Sequence, residues 1–574
     1  MKISNKILAI SIVSLLFFLA CEEMELKMEQ DTGITEELMW NNPSYVDNFM
    51  VDIISMMPSG FNTDEFGWTF YANATDEAKN SNPAATIQNM NSGNWNSTTG
   101  FLDNAWNKYY RGIYKANLFL EKAESITYIT FPPSSRNLHL NRLTHYKSEV
   151  RLLRALFYYE LIKRYGGVVL VGDAVVQTRN DMNDPAFQAG RSSFNQCAAY
   201  IISECDYLID NALLPLLDQG ADQGRPNGTA AKALKTKTLL LLASPAYNKE
   251  ITEGSAEQMN YWRAVATMAQ DIAFDRIFSF GPYDTYDGTS PEVILGYRHR
   301  NVNQLEQRNF PIGSEGTRDQ GLIVSSGSTN PTQNLVDAYR MKNGKRIDEP
   351  GSGYDPSNPY ENRDDRLKQT VLYNGAEWLE RNVESRTIEI FRGGRDGMDR
   401  AYGTKTGYYL KKFIDPTLDL RQGQGSNREW PIFRFSDIVL IWAEAVNELY
   451  GPVNRGEFYL TATTILNQTI VRHGGLEELP LSGISQSELR ERIREERFVE
   501  LAFEDQRAWD LRRWGIAHEV LSQPVYKVDV TRNPDESFNY EKMKLEDRYF
   551  EDRMYLYPIP QRDVNNGLFQ NPGW

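Results

Sequence analysis

Large aromatic side chains in a polar, irregular stretch are the residues of this sequence best suited to hold a ligand. Trp68, Phe70, Tyr71 and Trp95 all lie between positions 58 and 102, among glycine, proline, asparagine, serine and threonine residues. Flat aromatic faces beside amide and hydroxyl groups suit the stacking and orientation of a polar, ring-shaped ligand. Because long loops with several large aromatics are often functional, the stretch is predicted to bind a ligand.

The motifs of common catalytic and nucleotide-binding sites do not occur in the sequence. It contains no H-E-x-x-H, G-x-S-x-G, G-x-x-x-x-G-K-S/T, G-x-G-x-x-G or C-x-x-C. The five histidines are scattered, and Asp396 and Asp399 lack the spacing of a calcium loop. Paired carboxylates of a glycoside hydrolase have no fixed spacing in sequence, so a hydrolase stays as an alternative. We predict a protein that is not an enzyme and that uses no metal or other cofactor.

The N-terminus has the pattern of a bacterial lipoprotein signal. Lys2 and Lys6 precede an apolar run from position 7 to 19, which is too short to span a bilayer, and Ala20 stands directly before Cys21. A small residue before a cysteine is typical of a lipobox, in which the thiol is lipidated and the chain is cut before it. An ordinary cleaved signal, with Cys21 incidental, is the alternative.

The remaining cysteines and the charge also limit the function. Cys197 and Cys205 are eight residues apart in a helical pattern, roughly 12 Å at the rise of a helix, which is too far for a disulfide. They are predicted to be small apolar core residues. The formal net charge is −15, which argues against nucleic acid and against an anionic membrane surface as partners.

Apolar residues at three- and four-residue steps predict a mostly helical chain. After a first helix from 35 to 56, interrupted near Pro43, two antiparallel helices repeat, which suggests stacked helical hairpins of the tetratricopeptide type. The predicted helices cover about 103–125, 141–165, 193–213, 227–248, 257–274, 436–450, 455–473, 485–504 and 507–521.

The middle of the chain breaks the helical pattern. Between 275 and 430, prolines and glycines are frequent and apolar runs are short, with short strands predicted at 387–391 and 408–413.

Within the later helices, arginines and glutamates alternate from Arg490 to Arg513, a pattern that we interpret mainly as a solvated surface. The predicted regions are a signal peptide at 1–20, an acidic tether at 21–34, a helical region at 35–274 with ligand loops at 58–102, an irregular insertion at 275–430, and a helical region with a tail at 431–574.

Several segments in this order resemble the SusD/RagB family of outer-membrane nutrient-binding lipoproteins. The resemblance extends from the lipobox to the last residue. The matching segments are YKSEVRLLRA (146–155), RYGG (164–167), GTAAKALK (228–235), NPTQNLV (330–336), FRFSDI (433–438), EER to Gly515 (495–515), PIPQR (558–562) and QNPGW (570–574).

The resemblance implies a fold, a location and a role. The fold would be a mostly α, tetratricopeptide-like helical-hairpin scaffold with a large irregular, loop-rich insertion. Glu22 and Glu23, directly after Cys21, look like the surface-export signal of such lipoproteins. The protein would be lipid-anchored on the outer face of the outer membrane, where it captures oligosaccharides and delivers them to a SusC-like TonB-dependent transporter.

The family's ligand site varies between members, so the site residues are a hypothesis based on aromatic residues in polar loops. Trp68, Tyr71 and Trp95 are predicted to stack on sugar rings. Further polar or flanking contacts are predicted at Asn94, Asn96, Tyr297 and Arg318. Alternatives are the capture of peptides or another polymer on the same scaffold, a surface hydrolase, and a scaffold that binds only protein.

Overall fold

A computed structural model describes residues 35–61, 69–100, 103–176, 185–217, 224–314, 327–380 and 384–574. Cys21, Trp68 and Arg318 lie outside these ranges, so the predictions made for them are not addressed by the structure.

Helices dominate the architecture. They are α1 Glu36–Trp40, α2 Pro43–Ile54, α3 Gln88–Ser92, α4 Asp103–Ala123, α5 Pro133–Tyr165, α6 Pro185–Gln188, α7 Phe194–Asp210, α8 Gly228–Leu242, α9 Ala256–Phe274, α10 Gln304–Asn309, α11 Gln333–Ala338, α12 Asp365–Thr370, α13 Phe435–Tyr450, α14 Ala462–Arg472, α15 Gln486–Glu500, α16 Arg507–Arg513, α17 Ala517–Val520 and α18 Gln561–Asn565. Short 3₁₀ turns occur at Tyr71–Ala74, Leu420–Gln422 and Asp552–Tyr555.

The long helices form the scaffold, and each packs against its neighbour in sequence. Helix α4 contacts α5, α5 contacts α7, and the series continues through α8 and α9 to α13. Capping residues begin several of them, including Ser193 before α7 and Ser485 before α15, each in a reciprocal capping box. The predicted series of helical hairpins is therefore confirmed. Cys197 and Cys205 are buried and unbonded to each other, as predicted.

Within the described ranges, the strands form five small two-stranded antiparallel sheets. The strands are β1 Ala78–Asn80, β2 Val293–Val302, β3 Thr329–Pro331, β4 Val371–Leu372, β5 Glu377–Glu380, β6 Glu384–Thr387, β7 Tyr409–Leu410, β8 Ser426–Arg434, β9 Val525–Arg532 and β10 Phe538–Glu546. They pair as β1 with β3, β2 with β8, β4 with β7, β5 with β6, and β9 with β10.

The largest departure from the predicted elements lies in these sheets. The strand predicted at 387–391 meets an observed strand only at Thr387, and the one predicted at 408–413 is reduced to β7. The β2–β8 ribbon, in which Tyr297 lies opposite Trp430, joins residues more than a hundred positions apart. Alternation of apolar and polar residues within one segment does not show which distant strand will pair with it.

One continuous apolar core connects the helical scaffold with the sheets. It includes Trp106 of α4, Leu153 of α5, Trp442 of α13 and Trp378 of β5, all almost fully buried. Among the described residues, no helix combines the length and apolar character needed to cross a membrane.

Candidate functional site

A cavity of about 580 Å³ lies between the helical scaffold and the β2–β8 ribbon. Helices α4 and α5 form one wall, β8 forms another, and the start of α16 closes a third side. The chain from Ser55 to Gly60 crosses its rim. A volume of several hundred Å³ is typical of sites for small organic ligands.

Aromatic rings from distant parts of the sequence line this cavity. They are Tyr71, Tyr109, Tyr110, Tyr114, Trp430 and Trp509. The Tyr557 hydroxyl donates to the Tyr71 hydroxyl at 2.9 Å, and the rings of Tyr71 and Trp509 are 5.4 Å apart. Tyr114 is half-buried, whereas the others are nearly covered by protein. Tyr114 is therefore the most accessible ring for a ligand.

Gly60 packs closely against the Trp430 ring at the edge of the cavity. Its φ of +62° is a left-handed conformation that favours glycine, and a Cβ at this position would lie 1.7 Å from the Trp430 ring. The same turn is held by His299, whose Nε2 is 2.8 Å from the Ser59 carbonyl oxygen. The first loop residues after α2 are therefore packed directly onto the β2–β8 ribbon.

The last turn of α5 places three charged side chains at the floor of the cavity. Lys163 and Arg164 each donate to Glu160 at 2.6 Å. The Arg164 guanidinium lies 4.9 Å from the centre of the Trp509 ring, in cation–π geometry. Burial alone would raise the pKa of Glu160, but the two cations outweigh it and hold that pKa below its usual value. Burial lowers the pKa of Lys163 to about 8, although Glu160 opposes this.

Polar side chains of α4 line the open side. Asn104 and Arg111 are exposed, while Asn107 and Lys108 are half-buried. The Lys108 ammonium donates to the Met57 carbonyl at 3.0 Å and so ties α4 to the rim. The arrangement offers hydrogen-bond donors and acceptors around an aromatic interior.

The predicted site residues do not converge on one place. Tyr71 lines the cavity. Asn94 and Asn96 are exposed on the turn after α3, where Asn96 Oδ1 accepts from the Thr98 amide at 2.9 Å. Tyr297 lies half-buried on β2, 4.8 Å from the His299 ring, and is not part of the cavity wall.

Trp95 packs in the core rather than on the surface. It is 2% exposed, and its ring lies 4.6 Å from Trp574 and 5.6 Å from Tyr557. Almost none of the ring is open to a ligand, because the C-terminal tail covers it. The position of Trp95 in the core therefore argues against the predicted stacking on a sugar ring.

The residues predicted from the sequence do not include five of the cavity aromatics, namely Tyr109, Tyr110, Tyr114, Trp430 and Trp509. Trp509 packs in the core, at 8% exposure, and also lines the cavity. Aromatic residues at helical spacing do not reveal which of them borders an internal space.

The interpretation of Arg490–Arg513 as a mainly solvated surface was wrong. Arg492, Arg497 and Arg513 are buried. Arg492 pairs with Glu495 and Glu496 of its own helix, whereas Arg497 and Arg513 reach partners on other helices. Arg497 donates to Asp510 at 2.8 Å, and Arg513 donates to Glu444 at 2.6 Å. The i, i+4 spacing is present, but tertiary partners take up most of these charges.

A larger buried charge network lies beside these helices. We define it by Glu292, Asp364, Arg366, Lys412, Arg434, His473, Glu496, Glu500 and Glu504, all of which are buried. Arg434 donates to Glu292, Glu500 and Glu504 at 2.9 to 3.0 Å. Arg366 donates to Asp364, Glu496 and Glu500 at 2.6 to 2.8 Å.

His473 belongs to this network, and its ring nitrogens lie 2.9 Å from Glu500 and 3.1 Å from Glu292. Burial alone would lower the pKa of His473, but the two carboxylates outweigh it and raise that pKa to about 9. These three side chains are close enough to share a metal ion. Arg434 and a protonated His473 already supply positive charge to the carboxylates, so we interpret the cluster as an ion-pair network.

Two family models match consecutive parts of the chain. A model described as "SusD family" matches residues 291–574, and one described as "Starch-binding associating with outer membrane" matches residues 26–240. The chain belongs to the SusD/RagB family. The resemblance read from the sequence motifs is therefore confirmed.

Known proteins of the family match over most of their length. A SusD-like protein of Formosa agariphila is 22% identical over 92% of this chain and 93% of its own. The crystal structure of a SusD-like protein from Bacteroides fragilis has a TM-score of 0.74 and 23% identity over 94% of this chain and 99% of that chain. Surface glycan-binding protein A from Bacteroides thetaiotaomicron, in complex with laminarihexaose, has a TM-score of 0.60 and 15% identity over 92% and 99%. The mostly α SusD-like fold predicted from the sequence is confirmed.

Proposed function

We propose that the protein is a cell-surface lipoprotein that captures oligosaccharides without cleaving them and delivers them to a SusC-like TonB-dependent transporter. The observation that carries the proposal is the open cavity of about 580 Å³ with aromatic walls and a polar rim. Sugar rings have flat apolar faces and many hydroxyl groups, so they need both kinds of contact. The structurally similar surface glycan-binding protein A, solved in complex with laminarihexaose, supports a carbohydrate ligand for this chain.

The electrostatics of the cavity favour binding over hydrolysis. A glycoside hydrolase needs one carboxylic acid that keeps its proton near neutral pH. Glu160 has the opposite property, because Lys163 and Arg164 hold its pKa low. Glu504, on another side of the cavity, accepts from Lys412 and Arg434. Glu160 and Glu504 therefore each accept charge-assisted hydrogen bonds from basic side chains.

The lipid anchor and the transporter partner are inferred from the sequence and from the family. Cys21 would carry the lipid, and residues 22–34 would hold the folded part away from the membrane. Outer-membrane association fits the description of the family model that begins at residue 26. The transporter would receive the ligand from the binding face. Trp68, Tyr71, Asn94, Asn96, Tyr297 and Arg318 remain predicted ligand contacts.

Titration calorimetry of residues 22–574 against plant, host and microbial glycans tests the proposal. We expect saturable binding to one glycan class, with no new reducing ends in the same mixtures. Tyr114→Ala should weaken that binding about fivefold to tenfold, since one aromatic contact contributes about 1 kcal/mol. Tyr459→Ala is the matched control, because Tyr459 is exposed and does not line the cavity.

Other outcomes would favour the alternatives. Release of reducing ends would establish a hydrolase. Binding of peptides but of no glycan would favour peptide capture on the same scaffold. If folded Tyr114→Ala binds glycan as tightly as the unaltered protein does, the cavity is not the glycan-binding site.

A further inference from the structure

A second concavity, of about 320 Å³, is lined by four basic side chains. Lys79 comes from β1, Arg392 and Lys405 come from the chain between β6 and β7, and Lys527 comes from β9. We call these four residues and the space between them the basic groove. Within the described part of the chain, no acidic residue lines it. The whole chain has a formal net charge of −15, so this local excess of positive charge is unusual.

Backbone contacts fix the positions of Lys405 and Lys527. The Val528 amide donates to the Thr406 carbonyl at 2.9 Å, which places the two lysines on adjacent backbones. Gly407, at φ +85°, permits this approach, because a Cβ there would lie 2.4 Å from the Val528 carbonyl oxygen. The Lys405 amide donates to Asn330 Oδ1 at 2.9 Å and ties the segment to β3. The backbone segments that carry the two lysines are therefore held side by side.

The four cations differ in their partners. Lys79 is paired with Glu546, and Arg392 lies 3.2 Å from Asp529. Lys405 and Lys527 are half-buried, and neither ammonium forms an ion pair or hydrogen bond with the residues that the structure describes. Both lysines line the same concavity, so an anion bound there would meet ammonium groups that no described carboxylate already neutralises.

We propose that the basic groove binds the anionic groups of an acidic glycan, either carboxylates of uronic acids or sulfate esters. Lysine ammonium groups form charge-assisted hydrogen bonds with both kinds of group. Met398 and Leu545 border the same space and offer apolar contact to a sugar ring. The inference rests on the proposed glycan capture and narrows its ligand to acidic polysaccharides.

Titration calorimetry of residues 22–574 with matched ligand pairs tests this inference. One pair is oligogalacturonate and its methyl ester, which differ in the carboxylate. The other pair is chondroitin sulfate and desulfated chondroitin, which differ in the sulfate. We expect the more anionic member of at least one pair to bind more tightly, and its affinity to fall as salt rises.

The double variant Lys405→Gln/Lys527→Gln should weaken binding of the anionic ligand about tenfold, through loss of two partly exposed charge contacts. Binding of the methyl ester of oligogalacturonate, which carries no charge, should stay unchanged. Lys249→Gln is the matched control, because Lys249 is exposed and lines neither concavity. This control should bind as the unaltered protein does.

The possible results separate the inference from the proposed function. Equal affinity for both members of each pair, or no effect of the double variant, would overturn the inference while leaving glycan capture in place. Failure to bind any glycan, charged or neutral, would overturn both. If polyglutamate binds, the double variant weakens that binding, and no glycan binds, the groove would be a site for acidic peptides. That result would overturn the proposal that its ligand is an acidic glycan.

Discussion

The buried charge network and the basic groove both contain arginine and lysine side chains, but these side chains have different surroundings in the two regions. In the network, Arg366, Lys412 and Arg434 each meet carboxylates within hydrogen-bonding distance. In the groove, Lys405 and Lys527 meet none among the described residues. A buried charge without a partner is strongly unfavourable, whereas a charge at the surface is solvated. The network therefore serves stability, and the groove is free to serve binding.

Breaking the network should have the largest effect on stability. Arg434→Met keeps much of the side-chain volume but leaves Glu292, Glu500 and Glu504 without their shared cation. We expect a loss of about 3–5 kcal/mol in the free energy of unfolding, measured by urea denaturation. Arg263→Met, in an exposed pair with Glu457, should change it much less than Arg434→Met does. Similar losses in the two variants would contradict the distinction between buried and exposed charges.

The histidine of the network should make stability depend on pH. The pKa of His473 is raised to about 9 in the folded protein from about 6.5 in the unfolded chain. Its contribution, up to about 3 kcal/mol, is complete below the unfolded pKa and is lost as pH rises through the folded pKa. The measurement is the difference in unfolding free energy between the unaltered protein and His473→Gln, which should shrink between about pH 6.5 and 9.

A matched histidine serves as the control for this pH dependence. His518 is exposed, with 45% of its side chain accessible. His518→Gln removes an exposed imidazole outside the network and is measured over the same pH series. A constant difference for His473→Gln would mean that His473 is not protonated in the network.

Removing the lysines of the groove should have the smallest effect on stability. Lys405→Gln/Lys527→Gln deletes no ion pair of the described residues. We expect a change within about 0.5 kcal/mol, measured by urea denaturation, because surface substitutions away from packed features have effects of that size. A loss comparable to that of Arg434→Met would show that the groove is part of the structural framework.

The helices were predictable from the sequence because their signals are local. Helix α4 was predicted at 103–125 and observed at Asp103–Ala123, since its apolar residues repeat at helical spacing. The charge network was not predictable, because Arg366 and its partner Glu500 are 134 positions apart. The cavity was missed for the same reason, since Tyr114 and Trp430 meet only through the fold.

The predicted ligand loops show where local reasoning fails for binding sites. Trp95 and Tyr71 share the same polar stretch, yet Trp95 is covered by the C-terminal tail and Tyr71 borders the cavity. Composition indicates that aromatic residues are present in a loop. It does not indicate which side of the loop faces the solvent, because distant segments decide that.

The contacts of the charge network reach across the boundary between the irregular middle of the chain and the helical repeats. Glu292, Arg366 and Lys412 lie between positions 275 and 430, while His473 and Glu500 lie on or next to the later helices. Neither part can separate from the other without exposing charges that depend on partners in both. The middle segment and the late helices should therefore melt as one cooperative unit, and neither can be excised as an independent folding module.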